Sequence, residues 1–103
     1  MMNSLMMLFK EFSGLERPSI KESFQECCYP NQEKIAVYLE KGVVKLPSAG
    51  TSRDLITGDL ISDRHEILTD GEFTWDNSFA YYVRKYNLRL PKEFEEKVLN
   101  KTA

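Results

Sequence analysis

Seven carboxylates fall between residues 54 and 76: Asp54, Asp59, Asp63, Glu66, Asp70, Glu72 and Asp76, with Arg64 the single cation among them. Two such groups can serve as general acid and base, but no spacing in this stretch singles out a pair. A calcium loop begun at Asp59 places Ile61 third, Arg64 sixth and Asp70 twelfth. An EF-hand requires an oxygen ligand, a glycine and usually a glutamate there. His65 is the only histidine and no Cys-x-x-Cys occurs, so no metal and no cofactor are expected. Between Arg64 and Glu66, His65 reads as a solvated or hydrogen-bonded surface histidine. A Cys27–His65 nucleophile–base pair is formally available. However, Cys27 is expected on an apolar helix face beside Glu26, with no basic neighbour to favour its thiolate.

Aromatic residues gather at Phe73, Trp75, Phe79, Tyr81, Tyr82 and Tyr86. A stacking platform for single-stranded nucleic acid interleaves exposed rings with cations. Here the strand aromatics sit in the acidic stretch, and only Arg84 and Lys85 lie near the tyrosines, so strand–helix core packing is the expectation. Tyr81 and Tyr82 cannot both face inward; one hydroxyl should point out, where it could serve an interface. Neither glycine-rich phosphate-loop pattern is present.

The elements that would position these groups follow from periodicity. Ser19 and Glu22 have capping-box spacing, and Ile20, Phe24 and Cys27/Cys28 mark one face of a helix closed by Pro30. A second helix, separate from the first or continuous with it through a kink, runs from Asn31 to Lys41, with Gly42 as its stop. Val43–Leu46 reads as a strand, closed by a loop at Pro47-Ser48-Ala49-Gly50. Asp54–Ile56 and Leu60–Ser62 flank Thr57-Gly58-Asp59 as one hairpin; Glu66–Thr69 and Glu72–Trp75 flank Asp70-Gly71 as a second. A helix capped by Asp76 or Asn77 carries Phe79, Tyr82, Val83 and Tyr86 inward and stops at Asn87. Pro91 opens a last helix with Phe94 and Val98 as its inward pair. The order predicts an α+β fold: N-terminal helices, a small antiparallel meander of three or four strands, then two C-terminal helices. One domain is expected over residues 15–103, preceded by a segment, 1–14, that nothing in the sequence obliges to be ordered.

Composition sets the class. The 103 residues are 42% hydrophobic and 29% charged, as in a globular domain with a packed core. The net charge of −2 lacks the basic footprint of a nucleic-acid binder. That mean hides a −6 stretch at 54–76 between flanks of +1 and +3. Such a stretch either reflects the preference of turns for aspartate or forms a patch that steers a cationic partner. No run approaches the length of a spanning helix, and the start lacks a signal-peptide pattern, so no membrane association and a cytoplasmic location are expected.

Asp54-Leu-Ile-Thr-Gly58, Leu68-Thr-Asp-Gly-Glu-Phe-Thr-Trp75, Phe79-Ala-Tyr-Tyr82, Tyr86 and Leu90-Pro-Lys-Glu-Phe94 occur together. This combination, from about Glu33 to Phe94, resembles a group of small bacterial single-domain proteins, some of them immunity-like proteins of polymorphic toxin systems. The Met-rich start and Cys27-Cys28 lie outside the matched span. The resemblance implies stoichiometric neutralisation of a toxin domain, without catalysis. Asp59, Asp63, Glu66, Asp70 and Glu72 would form the patch facing a basic partner, with Tyr81 as an anchor. A protein-interaction or structural module, as a homodimer using a tyrosine face on helix 77–87, is the alternative. An enzyme using the acidic stretch or Cys27 is the third.

Overall fold

The computed structural model describes residues 3–48 and 50–102. Ala49 of the expected loop and the terminal Met1, Met2 and Ala103 lie outside the described residues. The fold is α+β. Strand β1 (Asn3–Ser4) leads through a 3-10 turn at Leu5–Leu8 to a short α1 (Lys10–Ser13) and a second 3-10 turn at Ile20–Ser23. Then come α2 (Gln32–Glu40), β2 (Val43–Ser48), β3 (Ser52–Arg53), β4 (Leu60–Ser62), β5 (His65–Thr69) and β6 (Phe73–Asp76). Helices α3 (Phe79–Tyr86) and α4 (Lys92–Thr102) end the fold.

The main sheet has the order β1-β6-β5-β2, with β6, β5 and β2 antiparallel and β1 parallel to β6. The expected meander is therefore interrupted. Strands β3 and β4 leave the sheet and form their own two-stranded ribbon, because Asp54 ties it to α3 as described below. Its strands are also displaced from expectation: Ser52–Arg53 pair with β4, and Asp54–Gly58 form the turn.

Strand β6 is the structural centre. Phe73 and Trp75 face α2 and α4: Trp75 donates its indole N–H to the Leu39 carbonyl at 3.0 Å, and both rings meet Phe94 edge-on. Thr74 and Asp76, at the alternate positions, are buried too. Gly42 closes this seam differently from expectation. It does not need the left-handed region; a Cβ there would lie 2.7 Å from Trp75 Cζ2 and 3.0 Å from Leu68 Cβ. Its missing side chain makes room for the tryptophan.

Several boundaries differ from the sequence expectation. The helix expected from Ser19 is only the four-residue 3-10 turn, although its capping box forms. The chain beyond it stays extended because Phe24 stacks on Tyr86 instead of continuing a helical face. Cys27 and Cys28 are consequently exposed rather than on an apolar face. Asn31 occupies the N-cap position of α2 but in the left-handed region and without a cap bond. Helix α3 is capped by Ser78, one residue beyond Asn77 and two beyond Asp76, because Asp76 and Asn77 are engaged elsewhere. Asn87 ends it in the left-handed conformation, as its residue type allows. Pro91 stands one residue ahead of α4, its carbonyl accepting from Phe94 and Glu95. Residues ahead of position 15 reach the core: Leu5 and Phe9 are buried in it, Phe9 against Phe79.

Candidate functional site

The turn of the β3–β4 hairpin begins with an aspartate followed by residues whose amides can turn back onto its side chain. Asp54 Oδ1 accepts from Ile56 N at 2.7 Å and from Thr57 N at 3.0 Å, an Asx-type turn. The turn closes with Gly58 N donating to the Asp54 carbonyl, Gly58 itself at φ +78°. Asp54 Oδ2 is thereby aimed at α3, where Tyr81 and Tyr86 both donate their hydroxyls at 2.7 Å and Lys85 Nζ lies at 3.4 Å. Lys85 also sits 5.4 Å from the centroids of both tyrosine rings. Tyr82 completes the junction, accepting from Leu55 N and donating to the Arg53 carbonyl. The Asp54 residue is only 2% exposed. Burial alone would raise its pKa, but the two tyrosine hydroxyls and the Thr57 and Ile56 amides outweigh it and hold the carboxyl well below the usual aspartate range.

What this anchor holds out is apolar. Leu55, Ile56 and Leu60 are 44%, 48% and 54% exposed on the hairpin, with exposed Asp59 between Ile56 and Leu60 and exposed Asp63 just after β4. Beside it, Ile61, Ser62, Asn77, Tyr81, Arg84 and Lys85 help line a cleft of about 540 Å3. The turn thus offers aliphatic side chains to solvent while its base is fastened to α3.

The five carboxylates expected as one patch are divided. Asp59 and Asp63 belong to the hairpin region. Glu66 is half-buried in β5, opposite Pro47. Asp70 and Glu72 lie at the far end of β5, about 13 Å along the strand from Glu66. There Lys97 Nζ reaches Asp70 at 2.8 Å and Glu72 at 2.7 Å. Asp70 is part of the fold: its Oδ1 accepts from Glu72 N and Phe73 N, and its Oδ2 from the Tyr38 hydroxyl. The Tyr81 hydroxyl, expected as a free anchor, is spent on Asp54, whose buried Oδ2 it satisfies together with Tyr86. Tyr82 is the inward member of the pair and Tyr81 the half-buried one. The tyrosine face of α3 is thus turned to the hairpin.

His65 is held by hydrogen bonding, with Nε2 2.9 Å from Asp76 Oδ1. Ser78 Oγ donates to the other Asp76 oxygen at 3.3 Å rather than to the imidazole. Asn77 fastens this corner to the hairpin, donating to the Arg64 carbonyl and accepting from Ser52 Oγ. Asp76 occupies Nε2, the nitrogen that the histidine of a Ser-His-Asp triad turns to its nucleophile, so the pair does not have that triad's orientation. Among the described residues, no hydroxyl or thiol is hydrogen-bonded to the ring. No group of three or more His, Cys, Asp or Glu side chains suited to a metal occurs among the described residues.

No family model, curated protein or solved structure matches the chain. No helix among the described residues is long and apolar enough to cross a membrane.

Sequence reasoning missed Asp54, Lys85 and Tyr86 as a unit. The signal that could have found them is the recurrence of one pattern: an aspartate opening a glycine-containing turn at Asp54…Gly58 and again at Asp70-Gly71. Leu55, Ile56 and Leu60 were expected as paired strand positions, and only the displaced ribbon exposes them.

Proposed function

We propose that the chain is an immunity-like binding protein of the bacterial cytoplasm that neutralises a toxin domain by stoichiometric association. The observation that carries this is the exposed Leu55–Ile56–Leu60 surface on a hairpin fastened from within by Asp54. Holding the loop in place before binding lowers the ordering cost of association. The aliphatic triad supplies the buried centre of the interface, while Asp59 and Asp63 steer a basic partner and select against acidic ones. Asp70 and Glu72, neutralised in part by Lys97, contribute less. Exposed Cys27 and Cys28 suit a reducing compartment. The test is size exclusion of the purified chain with the product of the gene adjoining its own. A one-to-one complex at micromolar concentration is expected, and its absence removes the toxin-binding role.

Self-association is a second possibility, favoured by Val43, Val44 and Leu46 exposed on the edge strand β2. The same strand carries Lys45, Pro47 and a register shift between Val44 and Leu46, devices that discourage edge pairing. Light scattering decides it: a mass that stays monomeric as concentration rises excludes the homodimer.

A further inference from the structure

Cys27 and Cys28 lie on an arch between the Ile20–Ser23 turn and α2, pinned on both sides to the end of α3. On one side Phe24 stacks on Tyr86 with centroids 4.7 Å apart, Gln25 N donates to the Tyr86 carbonyl at 3.2 Å, and Asn87 Nδ2 donates to the Gln25 carbonyl at 3.1 Å. On the other, the Tyr29 hydroxyl donates to the Leu88 carbonyl at 2.6 Å, Tyr29 N donates to Gln32 Oε1, and the Arg89 guanidinium sits 4.2 Å from the Tyr29 ring centroid. Between these pins both thiols are exposed and free. Among the described residues neither makes a hydrogen bond, ion pair or ring contact. Cys28 also borders a cleft of about 470 Å3 with Tyr29, Gln32 and Lys34.

Two accessible thiols on adjacent residues have a specific chemistry. Their Cα atoms are about 3.8 Å apart across the peptide, shorter than the roughly 4.4–6.8 Å of an unstrained disulfide. Direct S–S closure is therefore opposed, whereas one atom inserted between the sulfurs lengthens the bridge and relieves the constraint. We propose that Cys27 and Cys28 form a dithiol site that captures a trivalent arsenical, both sulfurs bonding to one arsenic atom. For an organic arsenoxide, two S–H bonds break and two As–S bonds form. The arsenic oxygen leaves with both protons as water, and no electrons change hands. After the first bond, the second thiol attacks intramolecularly, which a monothiol in solution cannot match.

Phenylarsine oxide added to the full chain tests this. Intact mass spectrometry should show one equivalent bound with loss of water, and both thiols should resist alkylation. Dithiothreitol should release the arsenical while excess monothiol should not. Cys27→Ser and Cys28→Ser should each weaken capture about 100-fold, with circular dichroism spectra unchanged because both side chains are exposed. Wild-type affinity in either single variant, a stoichiometry of one arsenical per thiol, or release by a monothiol overturns the proposal. So does ready closure of a Cys27–Cys28 disulfide by a small-molecule disulfide at the expense of arsenical binding.

Discussion

Asp54 and Asp70 occupy turns built alike. In each, Oδ1 accepts the amides two and three residues on, and Oδ2 meets hydroxyls and a lysine from the helices: Tyr81, Tyr86 and Lys85 of α3 at Asp54, Tyr38 of α2 and Lys97 of α4 at Asp70. The consequences are opposite. The Asp70 turn feeds Phe73 and Trp75 straight into the core, whereas the Asp54 turn leaves Leu55 and Ile56 in solvent. A buried charge network tends to fix geometry more than it adds stability. At Asp70 that geometry registers a core hairpin; at Asp54 it fixes a loop that contributes little apolar burial of its own. The second case makes sense when the loop meets something outside the chain.

The largest contrast should appear in side-chain truncations. Phe73→Ala should cost about 3–5 kcal/mol, the usual loss for a buried phenylalanine, while Ile56→Ala should stay within about 0.5 kcal/mol. Urea unfolding midpoints measure both. A comparable loss at Ile56 would mean that the hairpin is part of the core and would break the contrast.

Next come the anchors. Asp54→Asn and Asp70→Asn should each cost about 2 kcal/mol, as expected for losing hydrogen bonds to a charged acceptor. Hydrogen exchange separates them. Asp54→Asn should speed exchange at the amides of Leu55 to Leu60 and spare β5 and β6; Asp70→Asn should do the reverse. Exchange that rises over the whole chain in both variants would show that the two turns are not independent.

Acid dependence sharpens the same point. Both carboxyls are held below their ordinary range: burial opposes this, and hydrogen bonds (from Tyr81 and Tyr86 to Asp54, from Lys97 and the Phe73 amide to Asp70) prevail. The folded state then binds fewer protons than the unfolded one. The stabilisation is complete above the unfolded value near 3.9 and is lost as pH falls below it. Chemical denaturation between pH 5 and 2 should show this decline, and Asp54→Asn should make it shallower. Among the anchor substitutions the smallest effect is expected for Tyr86→Phe, about 1 kcal/mol in urea unfolding, because Asp54 keeps the Tyr81 hydroxyl and both amides.

Much of the fold was legible in the sequence because local rules decided it. Asp70-Gly71 specified its hairpin, Ser19 and Glu22 their capping box, and Asn87 its left-handed stop. The alternation of Phe73 and Trp75 identified the core strand. Contacts distant in sequence decided the rest. Gly42 looked like a helix stop and is instead the space into which Trp75 packs. The helical periodicity around Cys27 was real, but Phe24 found a better partner in Tyr86. The acidic stretch was visible as charge, yet Asp54, Asp70 and Asp76 are buried or half-buried ligands of the chain's own tyrosines, lysines and histidine. Composition counts charges without saying which are already answered. Leu55, Ile56 and Leu60 became visible as a surface only once the ribbon was seen to leave the sheet.

The most direct test compares binding of the adjoining gene's product to the wild-type chain and to a Leu55→Ser, Ile56→Ser, Leu60→Ser variant, by calorimetry, with urea midpoints measured in parallel. The expected result is an affinity at least about 100-fold weaker, in keeping with loss of an interface's buried centre, in a protein of nearly unchanged stability. Undiminished binding by a folded triple variant would contradict the assignment of the Asp54-anchored hairpin as the binding surface.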